Sequence, residues 1–460
     1  MVTITRFETR DVRFPTSLDK TGSDAMNTAG DYSAAYCLLY TDSEHVGHGM
    51  TFTIGRGNDI VAACIPYIAK HLVSKPLSSF TSNMGATWRT LTSDSQIRWI
   101  GPEKGVSHLA LGAVVNALWD LWARVEGKPI WQLVADMAPE EVVRCIDFRY
   151  VEDAITPQEA VEFLRKAEVG KAERLEKVRQ NRAVRCYTTS AGWLGYSKEK
   201  MRELLLQSKN EGFQHFKLKV GASVEEDIER LKIAREIIGD DAVLMVDANQ
   251  IWSVPQAIEH MTQLVPFKPW FIEEPTSPDD ILGHAAVLRA LSGYGIGVAT
   301  GEMAQNRVIF KQLLQARAIT VAQPDACRLG GLNEVLCVFL LAAKFGVQCV
   351  PHSGGVGLPE YTQHMSIIDY VLFGAVGQQT PNGDGPRVPE ERLLEYVEHL
   401  HEHYEEPAEV EDGYVVTPTR PGYSVNMKEE SAKKYEFPGK DGVSWWRSDE
   451  AKQILDSEWV

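Results

Sequence analysis

Six short β-branched or aromatic runs follow one another through the middle of the chain, and each ends in a residue that can carry charge. They are FKLK ending at Lys219, VLMVD at Asp247, WFIE at Glu273, VATGE at Glu302, TVAQPD at Asp325 and QCVPH at His352. The intervals are 28, 26, 29, 23 and 27 residues, the length of one strand, one helix and two loops. Most of the stretches between them read as amphipathic helix, such as VEEDIERLKIAREIIG. Such a repeat predicts a parallel β/α barrel, in which catalytic groups gather at the carboxyl ends of the strands. The first barrel strand is placed at RCYTTS. IDYVLFG reads as the end of a helix begun at PEYTQHM, and the eighth strand is placed at RLLEYV, beyond a turn-rich PNGDGPRVP insertion.

At 460 residues the chain has room for a barrel and a second domain. Residues 1–150 lack the repeat and read as an α+β domain with an edge-like strand in MVTITRFETRDVRF, a second strand at YCLLYT and several helices. PQEAVEFLRKAEVGKAERLEKVRQ bridges to the barrel, with Thr156 as helix N-cap and Pro157 at the first helical position. The barrel is expected over 151–398. Residues 399–460, with the strand-like DGYVVTP, are expected to pack back on the first domain.

The net charge of −16, without a Lys/Arg-rich run, argues against a nucleic-acid or anionic-membrane partner. HLALGAVVNALWDLWARV is too short and too polar to span a bilayer and reads as a buried core helix. The N-terminus has no apolar signal region, and the seven cysteines show no CxxC and no framework. Reduced thiols in a cytoplasmic protein are expected.

Three carboxylates on neighbouring strand ends, Asp247, Glu273 and Glu302, supply hard oxygen ligands that suit Mg²⁺ better than zinc. Glu273 and Glu274 alternate faces, so one of them points inward. Lys217 and Lys219 share a face. A lysine crowded by a second ammonium and a dication is expected to have a lowered pKa and to act as a base. Across the mouth, Asp325 can orient His352 as a second acid/base group. No GxSxG supports a serine nucleophile, and SGGVG after His352 lacks the lysine of a phosphate loop. HLHEHYEE places His399 and His403 four apart without HExxH, and is read as a solvated helix end.

A KxK strand followed by Asp, Glu and Glu on the next three strands, then Asp and His, resembles the enolase superfamily, mandelate racemase subgroup. FPTSLDKTGSDAMN, RWIGPEKGV, YTTSAGWLGY, FIEEPTSPDD and PHSGGVGLPEYTQH are similar to the sugar-acid dehydratases acting on L-fuconate and L-galactonate. The polar tail ending KYEFPGKDGVSWW is nearer the L-galactonate group. The resemblance implies an α/β fold: a (β/α)₇β modified TIM barrel under an N-terminal α+β capping domain completed by the tail. It implies Mg²⁺ on Asp247, Glu273 and Glu302, Lys219 as base and the Asp325–His352 dyad as opposing acid, with Lys217 facing the substrate carboxylate. Asn249 and Glu395 are expected at the substrate, with Gly22, Ser23, Asp24 and Tyr32 closing over it and Met50 to Phe52 as a second lid segment. The implied activity is dehydration of an aldonic acid, with L-galactonate ahead of L-fuconate. An acid-sugar racemase or epimerase, a metal-dependent aldolase and a catalytically silent interaction protein stay open as alternatives. A homo-oligomer fits the family.

Overall fold

The computed structural model describes residues 2–374 and 392–457, so the PNGDGPRVP insertion lies outside the described residues. The chain begins with an antiparallel meander of β1 (Thr3–Arg13), β2 (Ser33–Thr41) and β3 (Val46–Thr53), edged by the two-residue β4 (Lys75–Pro76) in the order β3-β2-β1-β4. β3 holds Met50 to Phe52, the expected second lid segment, and Phe52 reaches the cavity described below. Gly47 and Gly49 hide the strand in the sequence, and packing explains them. A Cβ at Gly49 would lie 2.1 Å from the Ala113 carbonyl, and one at Gly47 would lie 2.4 Å from that of Ala117. Both carbonyls belong to the helix Gly105–Val125, which lies against β3. Among the described residues this helix alone is long and apolar enough to cross a membrane. Its apolar window is 89% buried inside the protein.

The bridging stretch forms the helix Pro157–Ala167. Thr156 accepts from the Glu159 amide, and the Glu159 carboxylate accepts from that of Thr156. A left-handed Gly170 then divides it from a second helix, Lys171–Arg179.

Eight parallel strands follow: β5 (Val184–Thr188), β6 (His215–Lys219), β7 (Val243–Asp247), β8 (Phe271–Glu273), β9 (Gly297–Thr300), β10 (Val321–Ala322), β11 (Gln348–Cys349) and β12 (Arg392–Tyr396). Their order is β12-β5-β6-β7-β8-β9-β10-β11. One helix lies between each strand and the next, the last being Leu358–Phe373, so the architecture is (β/α)₇β. IDYVLFG ends that last helix and RLLEY is the eighth strand. The barrel is filled from within by Tyr187, Met245, Phe271, Ala299, Val321, Val350 and Leu393, a buried cluster drawn from six strands and the residue that follows β11. Facing side chains of this kind make the barrel a packed core with its mouth at the strand ends.

The tail serves both domains. β13 (Val410–Glu411) and β14 (Tyr414–Val415) form a hairpin whose tip, Asp412-Gly413, has φ of 52° and 72°, as a tight Asp-Gly hairpin turn requires. β14 pairs with β5, an attachment to the barrel that the sequence reading did not include. Further on, Glu436 bridges to Val12, the Phe437 amide donates to the Asp11 carbonyl, and Trp446 Nε1 donates to the Arg13 carbonyl. The cap and barrel also meet at a buried polar node. Arg307 donates to Glu103 at 2.8 Å and to Glu334 at 3.0 Å, and Glu334 pairs with His108 at 2.7 Å.

The histidine-rich stretch is not a solvated helix end. It is a single 3₁₀ turn, His401–His403, entered through Leu400 at φ 68°. His401 pairs with Glu360 at 2.7 Å, His403 with Ser431 at 3.0 Å, and His399 packs against Trp193 and Tyr32. The flat rings find aromatic partners, which a linear pattern does not display.

Candidate active site

Parallel strands in register bring the strand-end groups together. Lys219 is aligned with Asp247, and Asp247 with Glu273. One oxygen from each of Asp247, Glu273 and Glu302 lies within 4.8 Å of the others, with Asp247 and Glu273 wholly buried. Burial pushes the Glu273 carboxyl up to about 8 against the pull of Lys217, and Asp247, Glu395 and Glu302 push the same way. Three hard oxygens so close together, two of them on wholly buried carboxylates, fit a divalent cation such as Mg²⁺. Glu274 turns to the opposite face, where Gln250 donates to it at 2.8 Å.

Lys219 Nζ donates to Asp247 Oδ2 at 2.5 Å. Burial and the Lys217 ammonium push its pKa down, but Asp247, with Glu302 and Asp24, carries it above the lysine range. This is the balance for the protein without a cation; the depression expected from the sequence belongs to a lysine beside Lys217 and a bound dication. Lys217 lies beneath the cavity, not in its wall. Its ammonium donates to both Glu273 oxygens at 2.8 Å and pairs with Glu395 at 2.9 Å. Lys217 thus links two carboxylates of the site.

On the opposite wall His352 Nδ1 is 2.7 Å from Asp325 Oδ2, and its Nε2 is 3.5 Å from Glu302. Asp325 also accepts from the amides of Cys327 and Arg328, which fixes it. Burial lowers the imidazole pKa, but Glu302 and Asp325 outweigh burial and raise it to about 9. Glu395 accepts from the Thr189 hydroxyl at 2.5 Å and from the Ser353 amide at 3.1 Å.

These groups surround a cavity of about 370 Å³ lined by Lys219, Asn249, Glu302, Asp325, His352 and Glu395, and roofed by Gly22, Asp24 and Tyr32 of the cap. Gly22 sits at φ 79°, and a Cβ there would meet the Tyr32 hydroxyl at 2.2 Å. Asp24 accepts from the amides of Met26 and Asn27, holding the loop in its turn. Ser23 does not line the cavity: its hydroxyl accepts from the Gly195 amide at 2.9 Å and ties the cap loop to the barrel. Asn249 stands at φ 43°, its buried amide oxygen without a hydrogen-bond partner among the described residues.

Phe52, of the expected second lid segment, lines the cavity, as do Thr189, Trp193 and Val397, which were missed. Thr189 was within reach of the sequence, since it stands two residues past the inward Tyr187 on the first strand; the others come from elements whose approach only the fold reveals. A larger groove of about 970 Å³ lies elsewhere, between the cap helices and the helix Pro157–Ala167. It is open, its Arg89 is already paired with Asp147, and no strand-end group reaches it.

Residues 200–431 match the enolase C-terminal domain-like family model, and residues 8–135 match the N-terminal domain of mandelate racemase / muconate lactonizing enzyme. The chain is 66% identical to an L-galactonate dehydratase of Hypocrea jecorina, covering 99% of each. It is 50% identical to human mitochondrial enolase superfamily member 1. The crystal structure of that protein superposes with a TM-score of 0.90 over 95% of this chain and 96% of the other. An L-talarate dehydratase from Polaromonas, solved with Mg and L-glucarate, is 25% identical with a TM-score of 0.68, covering 95% of this chain and 98% of that one. The chain thus belongs to the enolase superfamily, as a member built from the mandelate racemase and muconate lactonizing enzyme domains.

Proposed function

We propose that this protein is a Mg²⁺-dependent dehydratase of aldonic acids, with L-galactonate as its substrate. It removes the proton from carbon 2 and the hydroxyl from carbon 3 to give a 2-keto-3-deoxy sugar acid. The observation that carries this reading is the placement of Lys219 and the Asp325–His352 pair on facing walls of one cavity, with three carboxylates between them. The named L-galactonate dehydratase, 66% identical end to end, supports the substrate.

Asp247, Glu273 and Glu302 would hold the cation, and Mg²⁺ bound there would offset their charge and draw electron density from the substrate carboxylate. With Asp247 committed to the cation, Lys219 would lose the partner that holds it charged and shed its proton to solvent; as the neutral amine it takes the carbon-2 proton, and the freed electron pair is accommodated toward the carboxylate. His352, charged and oriented by Asp325, gives its proton to the carbon-3 hydroxyl as the carbon–oxygen bond breaks. Water and an enol leave these steps, and the enol becomes the 2-keto acid by proton transfer. Lys217 holds Glu273 and Glu395 in place, while Asn249, Glu395 and the capping loop's Gly22, Asp24 and Tyr32 enclose the polyol and Ser23 anchors that loop to Gly195.

In this reading residues 1–150 are the cap, 151–398 the barrel and 399–460 a strap. Seven buried, unpaired cysteines support a reducing cytoplasmic location. Trp99 and Ile100, 89% and 75% exposed, support assembly with further copies, which sedimentation would test. The function is tested by presenting a panel of aldonic acids with Mg²⁺ and assaying 2-keto acid formation. L-galactonate should be turned over fastest, EDTA should abolish turnover and Mg²⁺ should restore it. Full turnover in metal-free buffer, or epimerisation without water loss, would remove the reading.

A further inference from the structure

The inward side chains of the barrel form tiers. Two residues beyond Tyr187, Met245, Phe271, Val350 and Leu393 of the inner apolar cluster stand Thr189, Asp247, Glu273, His352 and Glu395, all of them groups of the site. The same step on β10 leads from Val321 to Gln323. The strand stays extended there, since the Gln323 amide donates to the Thr300 carbonyl and the His352 amide to that of Pro324. Alternation therefore aims Gln323 at the interior, in the tier of the site and next along the barrel to His352. Gln323 is 1% exposed, and neither its amide nitrogen nor its amide oxygen has a hydrogen-bond partner among the described residues. Leaving both ends of a buried carboxamide unpaired forfeits the hydrogen bonds that water would give it, so such a side chain needs a partner beyond the polypeptide.

We infer that Gln323 is a positioning residue for the cation site, its amide engaging the hydration shell of the divalent ion held by Asp247, Glu273 and Glu302. Mg²⁺ characteristically keeps several waters, and a carboxamide can both donate to and accept from them. Groups that orient a metal's surroundings typically change affinity by roughly 10–100-fold when removed. This inference rests on the Mg²⁺ reading above, and it concerns binding, not turnover.

The test uses Mn²⁺ as the probe, with free ion measured by electron paramagnetic resonance and thermal midpoints recorded without metal. Gln323→Met keeps the volume and removes both polar ends. It should bind Mn²⁺ about 10–100-fold more weakly than the wild type, while its metal-free midpoint is unchanged or raised. Gln323→Glu restores an acceptor and should recover wild-type affinity or better, an order that a purely structural amide would not produce. Wild-type Mn²⁺ affinity in Gln323→Met overturns the inference, as does weaker binding by Gln323→Glu if the methionine variant does not fold. A wild-type protein that binds no Mn²⁺ overturns the metal reading itself and this inference with it.

Discussion

Lys219 and His352 divide the proton transfers between two walls, and the division can be measured. Lys219→Ala should stop exchange of the carbon-2 proton with deuterated solvent. His352→Asn should slow dehydration by about 10²–10⁴-fold while exchange continues, because the base is intact. Asp325→Asn should resemble the histidine change in milder form. Exchange at the wild-type rate in Lys219→Ala, with none in His352→Asn, would reverse the roles. At this scale the strand-end groups were legible because a strand, a helix and two loops consume a nearly constant length of chain. What lay beyond the sequence was the pairing of charges. Lys219 and Asp247 are 28 residues apart and aligned across two strands, so an aspartate governs the lysine more strongly than its neighbour Lys217 does.

The cap loop shows how one element shapes the site without touching the reacting carbons. Asp24 spends its carboxylate on the amides of Met26 and Asn27, and Ser23 ties the same loop to Gly195. Asp24→Ala should raise KM for the aldonate roughly tenfold, the ~1.4 kcal/mol of a hydrogen bond, and leave Mn²⁺ binding as in the wild type. Asp24→Asn, which keeps the turn, should lie close to the wild type. Unchanged kinetics in Asp24→Ala across all aldonates would detach the loop from the site. The loop could be read from its small polar residues, whereas β3 could not. Two glycines dictated by the closeness of the helix Gly105–Val125 break the β-branched pattern by which strands are recognised. Likewise, DGYVVTP read as a strand, but nothing local announced the hairpin that its Asp-Gly opens or its pairing with β5.

On the scale of the molecule, the node around Glu334 joins cap to barrel and carries a pH signature. Burial would raise the Glu334 carboxyl, but His108 and Arg307 outweigh it and hold it at about 2, below its usual 4.5. A depressed pKa stabilises the fold fully above pH 4.5 and progressively less as pH falls toward 2. Glu334→Gln should therefore cost about 3–5 kcal/mol at neutral pH and flatten the acid limb of the unfolding profile. A urea titration at pH 7 and pH 3 checks both, and equal losses at the two pH values would count against the node. The division into cap and barrel was visible in the loss of the repeat before residue 151, but the contacts that weld the two were not, because they join residues such as His108 and Glu334 from distant parts of the chain. The tail has a further consequence for how the molecule is made. Trp446 meets Arg13 across 433 residues of sequence. At the usual rate of translation the first sheet leaves the ribosome roughly 20–90 s before the segment that covers its edge exists. For that interval the nascent cap keeps the backbone of Asp11 to Arg13 uncovered by the tail. A chaperone that shields exposed strand edges would have its opening then, and release of the finished polypeptide would close it.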